Sequence, residues 1–198
     1  MSFTQEYLSE ASRILQQLDT GVIDTVIEVL SDTRARGGRL FILGVGGSAA
    51  NASHAVNDFR KIVGLEAYCP TDNVSELTAR INDEGWGDAF EGWLRSSRIG
   101  ADDSVLVLSV GGGDLDRNIS APIVHALQYA RQQGARILGI IGRASGFTAQ
   151  AADACIVIPP VNPDHITPHT EAFQSVLWHL MVSHPKLKRS QTKWESQR

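Results

Sequence analysis

Histidine and carboxylate side chains recur at helical spacing in two parts of this sequence. His54 and Asp58 lie four residues apart, and Glu171 and His179 lie eight residues apart with Ser175 between them. Imidazole and carboxylate groups bind divalent ions such as Zn²⁺ and also serve as general acids and bases. As an alternative, His54 and Asp58 form no more than an exposed ion pair. Glu171 and His179 are ~12 Å apart along a helix, so they meet at one ion only if it lies midway.

Two glycine-rich segments follow predicted strands. The first, Gly44-Val45-Gly46-Gly47-Ser48, leads into a helix whose free N–H groups suit an anion or a sugar hydroxyl. It is a weak match to a dinucleotide fingerprint, because no acidic residue is well placed about 20 positions further on. The second runs from Ser109 through three glycines and Arg117 to Ser120, and it can form an amide nest for phosphate. A purely structural turn and a flexible surface loop are the alternatives.

Short apolar strands alternate with amphipathic helices along the chain. A helical pair extends from residue 7 to Gly37-Gly38. Strands are predicted at 40–45, 67–69, 104–110, 136–141 and 154–158. Helices are predicted after Gly47 and at 74–94, 120–133, 147–152 and 168–183, the last with Thr167 as its N-cap and Pro168 in its first position. This alternation predicts a parallel sheet covered on both faces, with ligands bound at the carboxyl ends of the strands.

Composition excludes several classes of protein. The 198 residues carry a net charge of −4, which gives no general attraction to nucleic acid or to an anionic membrane. Two cysteines, Cys69 and Cys155, are too few for a disulfide framework or a thiolate zinc site and suit a reducing cytoplasm. With no recognisable signal peptide or membrane span, we expect one cytoplasmic domain over 1–184. A basic tail with Trp194 follows at 185–198; such tails are more often solvated or subunit-crossing than bound to nucleic acid.

Four segments in consistent order resemble the phosphoheptose isomerases, a group within the sugar isomerase (SIS) domain family. GVGGSAANASHAVND is similar to their G-N-G-G-S-A-A-x-A-x-H-x-x-x-E segment, and TDNVSELTARINDEG to their next loop and helix, with an Asn-Asp pair at Asn82-Asp83. SVGGG…NISAPIVHAL occupies the place of their serine-rich phosphate loop. TPHTEAFQSVLWHL is similar to their T-x-x-x-Q-E-x-H…H helix. The resemblance covers about residues 40–184.

This resemblance implies a flavodoxin-like, three-layer doubly wound α/β fold with an N-terminal helical pair. It also implies a cytoplasmic homotetramer that converts sedoheptulose 7-phosphate to a heptose 7-phosphate with zinc in the active site. The metal ligands correspond to His54, Asp58, Glu171 and His179, with Asp58 also the catalytic base and His179 the acid. The substrate contacts correspond to Gly46, Gly47, Ser48, Asn82, Asp83, Ser109, Gly111, Gly112, Gly113, Ser120 and Thr167.

The sequence departs from the group at several of these positions. Val45 stands where the group has Asn, Asp58 is one methylene shorter than the usual Glu, and Glu171 replaces the usual Gln. The phosphate loop is longer and has glycines in place of two serines. These departures predict a divergent member and leave open a substrate of different chain length, phosphate position or anomer. An isomerase for another phosphosugar and a non-catalytic SIS module that binds a sugar phosphate or a protein are the alternatives.

Overall fold

A parallel five-stranded sheet forms the centre of the molecule. The computed structural model describes residues 1–193 and 195–197; Trp194 and Arg198, two residues of the predicted basic tail, lie outside the described residues. The strands are β1 Leu40–Leu43, β2 Ala67–Tyr68, β3 Ser104–Ser109, β4 Arg136–Ile141 and β5 Ala154–Val157, in the order β2-β1-β3-β4-β5. Each neighbouring pair is parallel. The predicted parallel sheet is therefore confirmed.

Helices cover both faces of this sheet. They are α1 Phe3–Gln17, α2 Thr20–Ala35, α3 Gly47–Asp58, α4 Val74–Glu84, α5 Ala89–Ser96, α6 Ala121–Gln132, α7 Phe147–Ala151 and α8 Ile166–Ser183. Alternate residues of β1 point to opposite faces: Leu40 and Ile42 join a core with α1, α2, α3 and α8, while Phe41 and Leu43 join one with α5 and α6. The two apolar cores confirm the three-layer architecture with its N-terminal helical pair.

The strand order places both glycine segments beside one crevice. From β1 the chain crosses to β2 on one side, and β3 then pairs with the other side of β1. The loops that leave adjacent strands on either side of such a reversal diverge and open a ligand crevice at the carboxyl ends. The segments after β1 and β3 are the two glycine-rich ones, so the topology brings them to the same edge.

Helix α8 begins earlier than the sequence predicts. Thr167 as its N-cap is wrong, because the helix starts at Ile166 with His165 in the cap position, after a 3₁₀ turn over Pro163–His165. Pro168 is thus the third helical residue rather than the first. This position tolerates proline because the first N–H groups of a helix have no partner within it.

Two further features complete the fold. The last turn after α3 is a π-helix, Phe59–Val63, and begins directly after Asp58. The start of the predicted tail packs on this turn: Leu187 is buried, and the Arg189 backbone N–H donates to the carbonyl of Ile62 at 2.9 Å.

Within the described residues, every helix is too short or too polar to cross a bilayer.

Candidate metal centre and glycine loops

Three of the four predicted metal ligands meet between α3 and α8. Asp58 ends α3, His54 lies one turn before it, and His179 faces both from α8. The Nε2 atoms of His54 and His179 are 3.6 Å and 3.4 Å from the same oxygen, Oδ2 of Asp58. The three ligand atoms lie within 4.8 Å of one another.

The Asp58 carboxylate is held from the protein side. The indole Nε1–H of Trp178 donates to Oδ2 at 3.2 Å, and the Asn57 amide donates to Oδ1 at 3.0 Å. Asp58 and Trp178 are buried, whereas the side chains of His54 and His179 are 58% and 48% exposed. The carboxylate is therefore fixed from below and the imidazoles cover it on the solvent side. Sequence reasoning missed Trp178. The one indication of its role in the sequence is that it directly precedes His179.

The imidazole of His179 is oriented by its own helix. Its Nδ1 lies 2.8 Å from the carbonyl oxygen of Ser175, one turn earlier. A carbonyl can only accept, so Nδ1 carries the proton and Nε2 is left to face Asp58. Histidines that bind metals commonly donate their second N–H to a backbone carbonyl in this way.

This donor set fits a divalent ion such as Zn²⁺. Two ligand atoms that each lie about 2.0–2.1 Å from a tetrahedral ion are separated by about 3.3 Å. The observed separations of 3.4 Å and 3.6 Å are close to that value and longer than a strong hydrogen bond. Two imidazoles and one carboxylate leave a fourth position for water, substrate or another side chain.

The fourth predicted ligand, Glu171, lies at the other end of α3. A methyl group at position 47 would come within 2.5 Å of both carboxylate oxygens of Glu171, so this carboxylate lies directly against Gly47 and would have to move if position 47 had a side chain. Glu171 is outside the three-atom group that the described residues form around Asp58. A carboxylate beside the first residue of a helix is favoured by the helix dipole. Its role as a ligand stays a prediction.

Polar contacts join α3 to α8 between the Asp58 group and Glu171. The Asn51 amide donates to the Glu171 carbonyl at 2.9 Å and to the Gln174 side-chain oxygen at 2.8 Å. Gln174 in turn donates to the Ser48 hydroxyl at 3.1 Å, and both groups are buried. The Ser48 hydroxyl therefore faces α8, and these bonds fix how the two helices align.

Gly46 sets the shape of the first glycine turn. Its φ of +64° with ψ of −129° is a conformation that side chains disfavour strongly. The turn can therefore bring the chain from β1 into α3 with Gly46 and Gly47 exposed at its surface. Exposed backbone at a helix N-terminus agrees with the predicted contact to an anion or hydroxyl.

The second glycine segment is held by its own side chains. The buried Ser109 hydroxyl accepts from the Gly112 N–H at 3.0 Å, and Thr148 donates to the Gly112 carbonyl at 2.7 Å. The inserted residues then form a small hairpin, in which Asp114 and Ile119 exchange two backbone hydrogen bonds of 2.9 Å. Ser120 precedes α6 with a left-handed φ of +52° and does not cap the helix with its side chain.

A cavity of about 300 Å³ opens beside this segment. Its walls include Gly111, Gly113, Arg117 and Arg143. Arg117 is already 3.6 Å from the Asp114 carboxylate, so Arg143 is the less engaged of the two cations. Two guanidinium groups beside glycine backbone suit an anionic ligand. Sequence reasoning missed Arg143, although it follows β4 at the same edge of the sheet.

The remaining predicted contacts lie away from the metal ligands. Asn82 and Asp83 are exposed on the last turns of α4, where the Asn82 amide donates to Asp83 at 2.8 Å. Thr167 is exposed in the first turn of α8. His165 and His169, two further histidines at the start of α8, bind the carboxylate of Glu10 on α1.

Comparison with known proteins matches the chain to one family. The SIS domain model matches residues 6–142. A phosphoheptose isomerase of Chlorobium phaeobacteroides is 32% identical over 161 residues, 77% of this chain and 68% of that protein. The lincomycin biosynthesis protein LmbN of Streptomyces lincolnensis is 28% identical over 195 residues, 93% of this chain and 69% of that protein. The structure of phosphoheptose isomerase GmhA from Neisseria gonorrhoeae has the same fold, with a TM-score of 0.78 at 24% identity over 90% of this chain and 94% of that chain.

These matches agree with the motifs and with the geometry. The family model spans well over half of the chain, and it includes both glycine segments and the His54–Asp58 pair. Two of the relatives named phosphoheptose isomerase cover 77% and 82% of this chain. The chain belongs to the SIS domain family, within it to the phosphoheptose isomerase group, and it is an isomerase of the sugar-phosphate class.

Proposed function

We propose that this chain interconverts sedoheptulose 7-phosphate and a D-glycero-manno-heptose 7-phosphate. The proposed cofactor is a divalent metal ion, with zinc as the first candidate. The observation that carries the proposal is the grouping of His54, Asp58 and His179 at ligand-to-ligand distances, with one position left open. The relatives' name supplies the substrate. The metal would be held by these three residues, with Glu171 as a fourth ligand after a change of its side-chain position.

Asp58 is the proposed base. Isomerisation takes a proton from the carbon next to the carbonyl and returns it to the neighbouring carbon, through an enediol or enediolate. Bonds from Trp178 and Asn57 hold the carboxylate in one orientation, which spares the cost of ordering it during the reaction. His179 is the proposed acid. Because Nδ1 is engaged with Ser175, its Nε2 holds either the metal or the exchanged proton, and His179 acts as acid when Nε2 is not bound to the metal. When bound, the metal supplies a Lewis acid that polarises the sugar oxygens.

The spacing along α3 suits a long sugar phosphate. The glycine turn lies at the carboxyl edge of the sheet, and His54 lies seven residues beyond Gly47, about 10 Å at 1.5 Å per residue. In a 7-phosphate, the reacting carbons C1 and C2 are at the far end from the phosphate. A sugar whose hydroxyls contact this turn can therefore bring its reacting end toward the metal centre, while its phosphate lies at the second glycine segment.

Glycine backbone and arginine are the proposed phosphate site. Gly111, Gly112 and Gly113 form the proposed phosphate loop, with Ser109 and Ser120 at its two ends and Arg143 across the cavity. The Gly112 N–H is engaged with the Ser109 hydroxyl, so the amides of Gly111 and Gly113 are the proposed donors. Gly46, Gly47, Ser48 and Thr167 are the proposed contacts to sugar hydroxyls, with Ser48 contributing its backbone because its hydroxyl is buried against Gln174. Asn82 and Asp83 complete the proposed set as surface residues of α4.

Another phosphosugar is the second candidate substrate. The hairpin that Asp114 and Ile119 close has no counterpart in the family's shorter serine loop, and Val45 removes a polar contact next to the substrate. Both changes alter what the pocket recognises and leave the three metal ligands in place. This observation favours a changed substrate over the non-catalytic module.

The test is turnover with a panel of phosphosugars. Purified protein, loaded with Zn²⁺ and compared with chelator-treated protein, is incubated with sedoheptulose 7-phosphate and with hexose and pentose phosphates, and products are followed by NMR. Turnover of the heptulose phosphate that stops with chelator supports the proposal. Turnover of a different sugar alone selects the second candidate, and no turnover with any of them contradicts both. Light scattering tests the proposed homotetramer, and cell fractionation tests the cytoplasmic location.

A further inference from the structure

A second cluster of histidines and a carboxylate lies where α1 crosses the start of α8. The Glu10 side chain is 1% exposed and accepts three hydrogen bonds. Asn162 donates to Oε1 at 2.6 Å, and His165 Nδ1 and His169 Nε2 lie 2.8 Å from Oε2. A buried carboxylate is costly unless hydrogen bonds of this kind replace its water.

The cluster is closed by aromatic rings and holds Glu10 ionised. Tyr7 stacks on His169 with ring centroids 4.4 Å apart, and Phe3 meets the ring of His165 edge-on at 5.7 Å. Hydrogen bonds from Asn162 and then from His169 lower the pKa of Glu10 from 4.5 to about 2. The carboxylate therefore remains a charged acceptor at neutral pH.

All three donors belong to the segment that enters α8. Asn162 precedes the 3₁₀ turn and also accepts from the Asp164 N–H at 3.0 Å, His165 caps α8, and His169 lies in its first turn. One carboxylate on α1 thus binds this end of α8 at three positions and, together with the bonds from Asn51 and Gln174 between α3 and α8, limits its height and rotation. In a helix, residues two apart point in directions about 200° apart. When His169 faces α1, Glu171 is turned toward α3 and Gly47.

The contacts of Glu171 depend on this rotation. Its carboxylate fits against Gly47, and its carbonyl accepts from Asn51 on the same side of the helix. A rotation of α8 by one residue's angle would remove both contacts. Glu10 touches neither the glycine turn nor the three metal ligands, so any effect on them passes through α8.

We propose that Glu10 is a positioning residue, which holds the first turn of α8 so that the Glu171 carboxylate stands beside the glycine turn, the position from which it would move to the metal. The inference rests on the proposed function for the role of Glu171 as a ligand. It assigns to the Glu10 cluster a purely hydrogen-bonding task. The 2.8 Å contacts are hydrogen-bond distances, shorter than the ~3.3 Å between two ligands of one zinc ion, so in this arrangement the three groups bind one another.

A double-mutant cycle on zinc affinity tests this role. Affinity is measured by competition with a chromogenic chelator in the full-length protein for Glu10→Gln, Glu171→Ala and the double variant. Glu10→Gln keeps the size of the side chain but replaces one acceptor oxygen by a donor, so we expect about tenfold weaker zinc binding. With Glu171→Ala already present, Glu10→Gln should have no further effect. Glu6→Gln, an exposed change on the same helix, is the matched control.

Further variants keep the test decisive. Glu10→Asp restores the charge and should recover part of the affinity. If Glu10→Gln does not fold, Asn162→Ala removes one of the three donors and takes its place in the cycle. The inference is overturned if Glu10→Gln lowers the zinc affinity equally in the wild type and in Glu171→Ala, or does not lower it at all. It is also overturned if Glu171→Ala leaves the zinc affinity unchanged. If the protein turns over its substrate but Glu10→Gln does not change the zinc affinity, the positioning role alone is overturned. If Glu10 and Glu171 are coupled in zinc binding but the protein turns over none of the sugars, the proposed function alone is overturned.

Discussion

Two clusters in this molecule have the same composition, two imidazoles around one carboxylate, and different geometry. At Asp58 the nitrogen-to-oxygen distances are 3.4 Å and 3.6 Å, and the two imidazoles are about half exposed. At Glu10 both distances are 2.8 Å, and the His169 side chain is 5% exposed. The first arrangement leaves space for an ion between its ligands, whereas the second is filled by hydrogen bonds.

The comparison shows that spacing along a helix does not separate a metal site from a structural cluster. His54 and Asp58 are four residues apart, and so are His165 and His169. The difference lies in the third partner. At Glu10 the carboxylate comes from another helix and accepts from both rings, while at Asp58 it lies on the helix of His54 and its Oδ2 accepts from the Trp178 indole.

The largest difference between the Asp58 and Glu10 clusters should appear in turnover. We expect Asp58→Asn to lower kcat by about 10²- to 10⁴-fold, because an amide cannot take the substrate proton. Glu10→Gln should lower kcat by about tenfold at most, since Glu10 acts through α8. Both are measured with the substrate that the panel identifies.

The matched control is Asp88→Asn. Asp88 is also paired with a histidine, His125, at 2.7 Å on the surface, so this change removes a His–Asp pair outside the proposed site. Circular dichroism and the thermal midpoint establish that each variant folds. Near wild-type turnover in Asp58→Asn would contradict its role as base and remove the functional distinction between the two clusters.

Metal affinity should separate the clusters next. His54→Ala removes a ligand from the Asp58 cluster, and we expect zinc binding to weaken by about 100-fold or more, beyond what loss of an outer partner costs. His165→Ala removes a ring from the Glu10 cluster and should leave the amount of bound zinc unchanged. Zinc per chain is measured by mass spectrometry after dialysis. If His165→Ala loses one equivalent of zinc per chain, the Glu10 cluster binds an ion despite its shorter nitrogen-to-oxygen distances.

Trp178→Phe addresses what holds the Asp58 carboxylate in place. The phenyl ring fills most of the indole's buried volume but cannot donate to Oδ2, so the carboxylate loses one orienting bond. We expect about tenfold lower zinc affinity or kcat, as for other hydrogen-bond partners of a metal ligand. Leu177→Met, a buried change one residue away, is the control for repacking. Unchanged kinetics in Trp178→Phe would mean that packing alone orients Asp58.

Sequence reasoning predicted what depends on local pattern. The alternation of apolar strands and helices predicted the parallel sheet, and the i,i+4 spacing with the family motif brought His54, Asp58 and His179 into one hypothesis. It could not show that Trp178 supports Asp58, or that Glu10 binds residues more than 150 positions away. Those contacts depend on how α1, α3 and α8 pack. The start of α8 was missed for a related reason, since its first turn is held by Glu10 as well as by capping.

The smallest expected effect concerns acid stability and tests the Glu10 cluster by itself. The folded pKa of Glu10 is about 2 against an ordinary 4.5, so its carboxylate stabilises the fold fully above about pH 4.5 and loses this effect as the pH falls toward 2. The groups that face it are His165, His169 and Asn162, with Tyr7 stacked on His169. We therefore expect the urea midpoint of the wild type to exceed that of Glu10→Gln by a constant margin above pH 5, and this margin to shrink between pH 4.5 and 3. Glu6→Gln, exposed on the same helix, should show no such change in margin. A margin that stays constant down to pH 3 would mean that Glu10 is not held ionised by its three donors, and that its cluster differs from the Asp58 cluster in packing alone.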